Sequence, residues 1–213
     1  HAHEGKGRVK SVAIQQPEHA PWIGFFHKMM NADFYVYLDS VQFKKRYFEN
    51  RNKVREGAEW TWVTVPVASK GKYLQKICEV ETQDEDGDWR RSYQGRLNTG
   101  LAKAPFKSLV MDWFNSVIMG GGHRRLVDLN MAFINFGRDS LGITTPTAFS
   151  SEMGVDDFKG KDLILEISRR AGASVYVSGP DGRSYLDAAE FERAGIGLAY
   201  HDFEHPEYPQ WQG

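Results

Sequence analysis

An α/β fold with a helical segment inserted in its middle is expected from three observations. Short apolar strands alternate with segments of helical period. The chain opens as strand, short loop, helix, strand, which begins a βαβ unit. Consecutive helical stretches then fill the centre of the sequence.

The elements follow in order. Val12-Ala13-Ile14 is a short apolar strand running into Gln15-Gln16-Pro17. Pro21 sits where a helix begins, because its fixed φ suits the first helical position. Trp22 to Asn31 is that helix, and Phe34 to Leu38 is an apolar strand ending in Asp39. Lys44, Lys45, Arg46, Arg51, Lys53 and Arg55 then crowd one stretch opposed only by Glu49. Trp60 to Val65 alternates and is rich in β-formers, so it is expected as a strand. The acids from Glu79 to Asp88 predict a solvated strand end and loop.

Three helices are expected over Trp89 to Lys103, Phe106 to Met119 and Arg124 to Leu141. In the last, Leu126, Leu129, Phe133 and Phe136 recur at helical spacing and Gly142 ends the run. Asp162 to Ala171 is another helix, Ser174 to Val177 a buried strand, Glu190 to Ala194 the end of a short helix, and Ile196 to Tyr200 a last strand. The stretch His201 to Gly213 has no Lys or Arg and two Pro, and is expected as an irregular surface strap.

Composition bounds the function. The 213 residues carry 27 Lys plus Arg against 28 Asp plus Glu, a formal net charge of −1. That excludes a generally basic nucleic-acid binder and an acidic disordered tail. Aromatics make up 13%, with six Trp, which suits pocket walls as well as cores. The single Cys78 excludes an internal disulfide and zinc sites built on two or more thiolates. Cysteine usage and the lack of a ~20-residue apolar run predict a cytoplasmic protein without a membrane span. Residues 1–11 are expected to be disordered or foreign to the natural chain, and 12–213 to form one α/β domain.

Two segments are candidates for chemistry. Gln15 to Trp22 closes a first strand and opens a first helix, where ligands of open α/β sheets bind and where helix N–H groups favour an anion. His19 stands in that loop, suited to donate to a phosphate or to act as a base. Packing is the competing role. Asp39 to Lys53 is the second. Asp39 ends a strand on the same sheet edge, placed to orient a histidine or take a proton. Arg51 is suited to grip a phosphate, with Asn50 and Asn52 beside it. Phe43, Tyr47 and Phe48 interleave with the basic residues, as an RNA contact requires, while a solvated basic hairpin is the plain alternative. His201 and His205 with Asp202 and Glu204 are read as polar partners of the tail, and no metal site is expected. Gly120-Gly121-Gly122 lacks the P-loop ending and is expected as a turn. Cys78 lies among acids that discourage a thiolate. Ser178-Gly179 follows a buried strand at the same edge.

These residues resemble a known family. Gln16-Pro17-x-x-x-Pro21-Trp22-x-Gly24-x-Phe26-x-Lys28 is similar to the opening of the WbqC-like proteins. Asp39-x-Val41-Gln42-Phe43-x-Lys45 and Asn50-Arg51-Asn52-Lys53 resemble its second block, with Phe48 where the family often has Trp. Thr64-Val65-Pro66-Val67, Ala104-Pro105-Phe106, Ser178-Gly179, Tyr185-Leu186-Asp187 and His205-Pro206-x-Tyr208-x-Gln210 complete the match. The strand, Gln16-Pro17, His19, helix order also resembles the opening of nucleotidylyltransferases, though without their second histidine. Together the two likenesses imply a Rossmann-like, mostly parallel sheet flanked by helices.

The family resemblance further implies a transferase of surface-polysaccharide (O-antigen) biosynthesis. Its reaction would N-acylate or aminoacylate, for example with glycine, the amine of a dTDP- or UDP-linked amino sugar. His19 and Asp39 are the expected catalytic residues. Gln16, Trp22, Lys28, Gln42, Lys45, Asn50, Arg51, Asn52, Ser178, Tyr185 and Tyr208 are the expected substrate-binding residues. The cofactor stays open between ATP with Mg²⁺ and an activated acyl donor, which includes aminoacyl-tRNA and a carrier thioester. The oligomeric state stays open too. A non-catalytic sugar-nucleotide binder and an ATP-dependent nucleotidyl or adenylyl transferase are the alternatives.

Overall fold

The computed structural model describes residues 11–83 and 88–208. In chain order the regular elements are β1 (Ser11–Gln15), α1 (Ile23–Met30), β2 (Phe34–Tyr37), β3 (Arg51–Glu56), β4 (Glu59–Thr64), α2 (Asp88–Gly100), α3 (Lys107–Trp113), α4 (Leu126–Leu141), β5 (Thr147–Phe149), α5 (Gly160–Arg170), β6 (Val175–Ser178), α6 (Ala188–Arg193) and β7 (Gly197–Tyr200). The expectations for residues 1–10, for Asp84 to Asp86 and for Gln210 lie outside the described residues.

The chain divides into two units. The first holds the described parts of 1–16 together with 22–40 and 138–205. Its five strands form one parallel sheet in the order β5-β2-β1-β6-β7. The expected α/β, Rossmann-like architecture is therefore present. The central strands β1 and β2 are buried on both faces, as a parallel sheet with helices on its faces requires. That is why they read as continuous apolar runs and not as alternations.

Local sequence explains the elements of this unit. Helix α1 starts at Ile23 with Trp22 as its extended N-cap, so Pro21 lies just before the helix and not at its first position. Gly24 is needed because the Trp22 indole lies over it: a Cβ there would come within 2.3 Å of the ring. Helix α5 buries Leu163, Ile164 and Ile167 on one face and is terminated just beyond its Ala171 cap by Gly172, at φ +65°. Asp187 caps α6 by accepting the Ala189 N–H at 3.0 Å. The strand β5 was not anticipated. Its three residues, Thr147-Ala148-Phe149, pair with β2 but are too few to show a period.

The second unit holds 17–21, 41–137 and the described residues from 206. Residues 41–137 lie between β2 and β5, a longer segment than the helical insertion expected at about 89–141. The insertion is not purely helical, because it opens with the antiparallel hairpin β3–β4. Strand β3 lies inside the basic run. Its inward residues, Asn52 and Val54, are too few and too polar to mark a strand by sequence. The hairpin and the helices share a core of Phe43, Val63, Ile77, Tyr93, Phe114, Leu129 and their neighbours. The helix expected over 106–119 is α3 followed by a π-helical turn over Phe114–Ile118. There the Met119 N–H reaches the Phe114 carbonyl at 3.0 Å.

Candidate functional site

Two segments were expected to carry chemistry, and the structure gives their residues, and the further expected site residues, their surroundings. In the sheet unit, strand order reverses between β1 and β6. Ligands of open α/β sheets bind beyond the carboxyl ends of strands at such a point. Gln16 is half-buried directly after β1. Lys28, on α1, is buried and donates from Nζ to the Ile14 carbonyl at 3.1 Å. Ser178 ends β6, buried, with Oγ donating to the Gly179 carbonyl at 3.0 Å. Trp22 is half-exposed and packs edge-on against Phe203 at 5.3 Å. Tyr185 is exposed.

His27 and His201 were not anticipated at this edge. His27 Nδ1 and His201 Nε2 lie 2.7 Å apart. Burial, then the nearby His27 and Lys28 charges, hold the His201 imidazole below its ordinary pKa. No motif signals the pair, because 174 residues separate its members. Asp202 is paired with Arg183 at 2.7 Å. Among the described residues no group of three or more His, Cys, Asp or Glu is arranged to hold a metal ion.

Asp39 is buried at the end of β2 and accepts on both oxygens. Oδ1 takes the Ser151 N–H at 2.9 Å and the Ser150 hydroxyl at 3.1 Å, and Oδ2 takes the Ser151 hydroxyl at 2.7 Å. The carboxylate thus ties the end of β2 to the turn that follows β5. Short hydrogen bonds to an ionised carboxylate are among the stronger ones.

His19 belongs to the other unit and is fully buried. Its tautomer follows from its neighbours. The Asn130 Nδ2 donates to the Pro17 and Glu49 carbonyls at 2.8 and 2.7 Å. That fixes the amide, so its Oδ1 accepts. His19 Nδ1, 3.0 Å from that oxygen, therefore carries the proton. His19 Nε2 then accepts from the Tyr93 hydroxyl at 3.1 Å. Burial pushes the imidazole pKa down to about 4, so the ring is neutral at pH 7. Asn52 donates to the His19 and Ala20 carbonyls at 3.1 and 2.8 Å, holding Ala20 at φ +43°, a conformation that L-residues seldom adopt. Asn50 is likewise buried and donates to the Val65 carbonyl at 2.9 Å. His19, Asn50, Asn52 and Asn130 together clamp the 17–21 loop and the start of the hairpin.

Gln42 and Lys45 are brought together. With Lys44, Lys70, Lys72, Ser69 and Tyr73 they line an open cleft of about 730 Å³. Gln42 donates to the Tyr73 carbonyl at 2.7 Å. Glu81 lies 3.8 Å from Lys72, but no acid is among the described residues that line the cleft. Four lysines therefore line the cleft, an excess of positive charge that favours an anionic ligand. Lys70, Lys72 and Tyr73 were missed because their spacing from Lys45 carries no local signal. Arg51 was expected among these groups. Its guanidinium instead lies 3.9 Å from the Trp62 ring and donates to the Arg46 carbonyl. Tyr208 is half-exposed.

In sequence Glu49 is the lone acid of a basic run. It is buried, and its Oε2 has no hydrogen-bond partner. Burial pushes its pKa up to about 7, against the pull of the Lys44 charge. A carboxyl group poised near neutrality is suited to accept and return a proton.

The sequence profile of the WbqC-like protein family matches residues 16–213. The chain belongs to the WbqC-like protein family. It is 32% identical over 207 residues to the uncharacterized protein Rv1507c of Mycobacterium tuberculosis, covering 96% of this chain and 88% of that protein. No solved structure matches the chain. Among the described residues, no helix of this WbqC-like protein is long and apolar enough to cross a membrane. The segment from Asp39 to Lys53 supplies the strand-end latch, four of the residues that line the lysine cleft, and the first half of β3.

Proposed function

We propose that this WbqC-like protein is a transferase of surface-polysaccharide biosynthesis. It passes an acyl or aminoacyl group, such as glycyl, to the amine of a dTDP- or UDP-linked amino sugar. The lysine-lined cleft carries the reading, because a nucleotide diphosphate is the part of that substrate which such a cleft recognises. The family resemblance supports the amino-sugar acceptor.

In the reaction, the amine lone pair attacks the carbonyl carbon of the activated donor. The new N–C bond forms, the bond to the donor's leaving group breaks with its electron pair, and one amine proton is lost. That proton is assigned to Glu49, which is buried, feels the charge of Lys44 in the cleft lining and has a raised pKa. His19 and Asp39, with their polar atoms already hydrogen-bonded, act as positioning residues. His19 holds the loop before α1, and Asp39 joins two strand ends. Non-catalytic binding of a sugar nucleotide is the second reading, favoured by the engagement of both of those residues.

Calorimetric titration with UDP tests the cleft. Lys45→Ala and Lys70→Ala are each expected to weaken binding about tenfold, the scale of one charge-assisted hydrogen bond. Added salt is expected to weaken wild-type binding. Equal affinity in wild type and in both variants would remove the cleft from the mechanism.

A further inference from the structure

The hairpin β3–β4 presents a face that the cleft does not use. Its register pairs Arg51 with Thr64, Lys53 with Trp62 and Arg55 with Trp60. Paired residues point to the same side. The opposite side turns Val54 and Val63 to the core. The outward side therefore carries three cations and two tryptophans, with no acid at any of its six strand positions.

The side chains form one continuous ladder. Lys53 lies 3.7 Å from the Trp60 ring and 5.4 Å from the Trp62 ring. Trp60 touches Trp62 at 5.7 Å between ring centroids, Trp62 touches Phe48 at 6.0 Å, and Phe48 touches Tyr47 at 5.6 Å. Lys44 sits 5.5 Å over Tyr47 and also lines the lysine cleft. Large rings normally bury their area, yet Trp60 and Tyr47 are each 52% exposed.

We infer that the outer face of this hairpin, with Tyr47 and Phe48, binds single-stranded nucleic acid. The cations meet the phosphates and the exposed rings stack on unpaired bases, which every base permits. A neutral glycan also stacks on tryptophan but does not call for three unopposed cations. The chain's overall charge of −1 does not oppose this, because the local charge on the outer face of the hairpin is positive. The ladder ends at a residue of the cleft rim, so a strand lying on it leads to the cleft. Binding on this face does not depend on the acyl-transfer reading.

Fluorescence anisotropy with labelled twelve-nucleotide oligo(rU) and oligo(dT) tests the inference. Wild type is expected to bind with a dissociation constant on the order of 1–100 µM at low salt, and log affinity to fall against log salt with a slope of about −2. Trp60→Ala is expected to weaken binding about tenfold, and Lys53→Glu at least as much. Both variants should keep wild-type UDP affinity at the cleft, which also verifies that they are folded. Lys45→Ala should leave oligonucleotide binding within a factor of two or three. Absence of binding by wild type would overturn the inference. So would unchanged affinity in both hairpin variants, or equal affinity for heparin, a polyanion without bases. A failure here with intact UDP binding leaves the transferase reading standing. The reverse pattern would remove that reading and keep this one.

Discussion

Replacing Asn130 by Ala is expected to destabilise the unit that holds it by about 3–5 kcal/mol. The amide satisfies three buried groups at once: the Pro17 carbonyl, the Glu49 carbonyl and the His19 ring. Each one left without a partner costs about 1–3 kcal/mol, and the cavity adds to that. At this chain length the loss corresponds to a fall of roughly 10 °C in melting temperature. Asn130→Asp should be no milder, because it sets a carboxyl oxygen against two carbonyls that now receive N–H bonds. Thermal unfolding followed by circular dichroism checks both. A shift of less than about 2 °C in Asn130→Ala would mean that the 17–21 loop is held by something other than this amide.

The second large effect concerns pH. The Glu49 carboxyl has its folded pKa raised from 4.5 to about 7. Its contribution to stability is therefore fully present below pH 4.5 and is lost as pH rises through 7. Glu49→Gln stays neutral throughout. The variant should match wild type near pH 4.5 and become relatively more stable above pH 7, by no more than about 3 kcal/mol. His19 works in the opposite direction. Its folded pKa is lowered from 6.5 to about 4, so its contribution is complete above pH 6.5 and lost as pH falls through 4. Wild type should therefore lose stability on both sides, with only the alkaline loss removed by Glu49→Gln. Urea denaturation at pH 5 and pH 8 gives the comparison. An identical difference between variant and wild type at both values would show that Glu49 is not buried in the protonated form.

The parallel sheet was legible because its central strands are apolar on both faces and its helices start and stop at proline and glycine signals. Strand β3 was hidden by its surface position: the residues that make its outer face cationic also make it look like a solvated charge run. The block from Asp39 to Lys53 stands out by residue type, but side-chain roles inside it depend on distant partners. Gln42 and Lys45 meet Lys70 and Lys72 only through the fold. Arg51 is drawn to Trp62, its near neighbour across the hairpin. His19 sits in the expected strand–loop–helix junction. Its burial is set by Tyr93 and Asn130, 74 and 111 residues away, and nothing local to His19 encodes them. Glu49 was overlooked because a single acid among bases reads as a counter-charge, whereas its energetics are decided by desolvation.

The most direct test of the transferase reading is mass spectrometry of the intact nucleotide sugar after incubation with the purified protein. The acceptors are dTDP- and UDP-linked amino sugars, and the donors are acyl adenylates, carrier thioesters and aminoacyl-tRNA. One pairing is expected to yield an acceptor heavier by the acyl group and lacking its free amine, with the yield abolished in Glu49→Gln and reduced about tenfold in Lys45→Ala. Tight binding of the acceptor by wild type with no acylated product across the whole donor set would contradict catalysis and leave a binding protein.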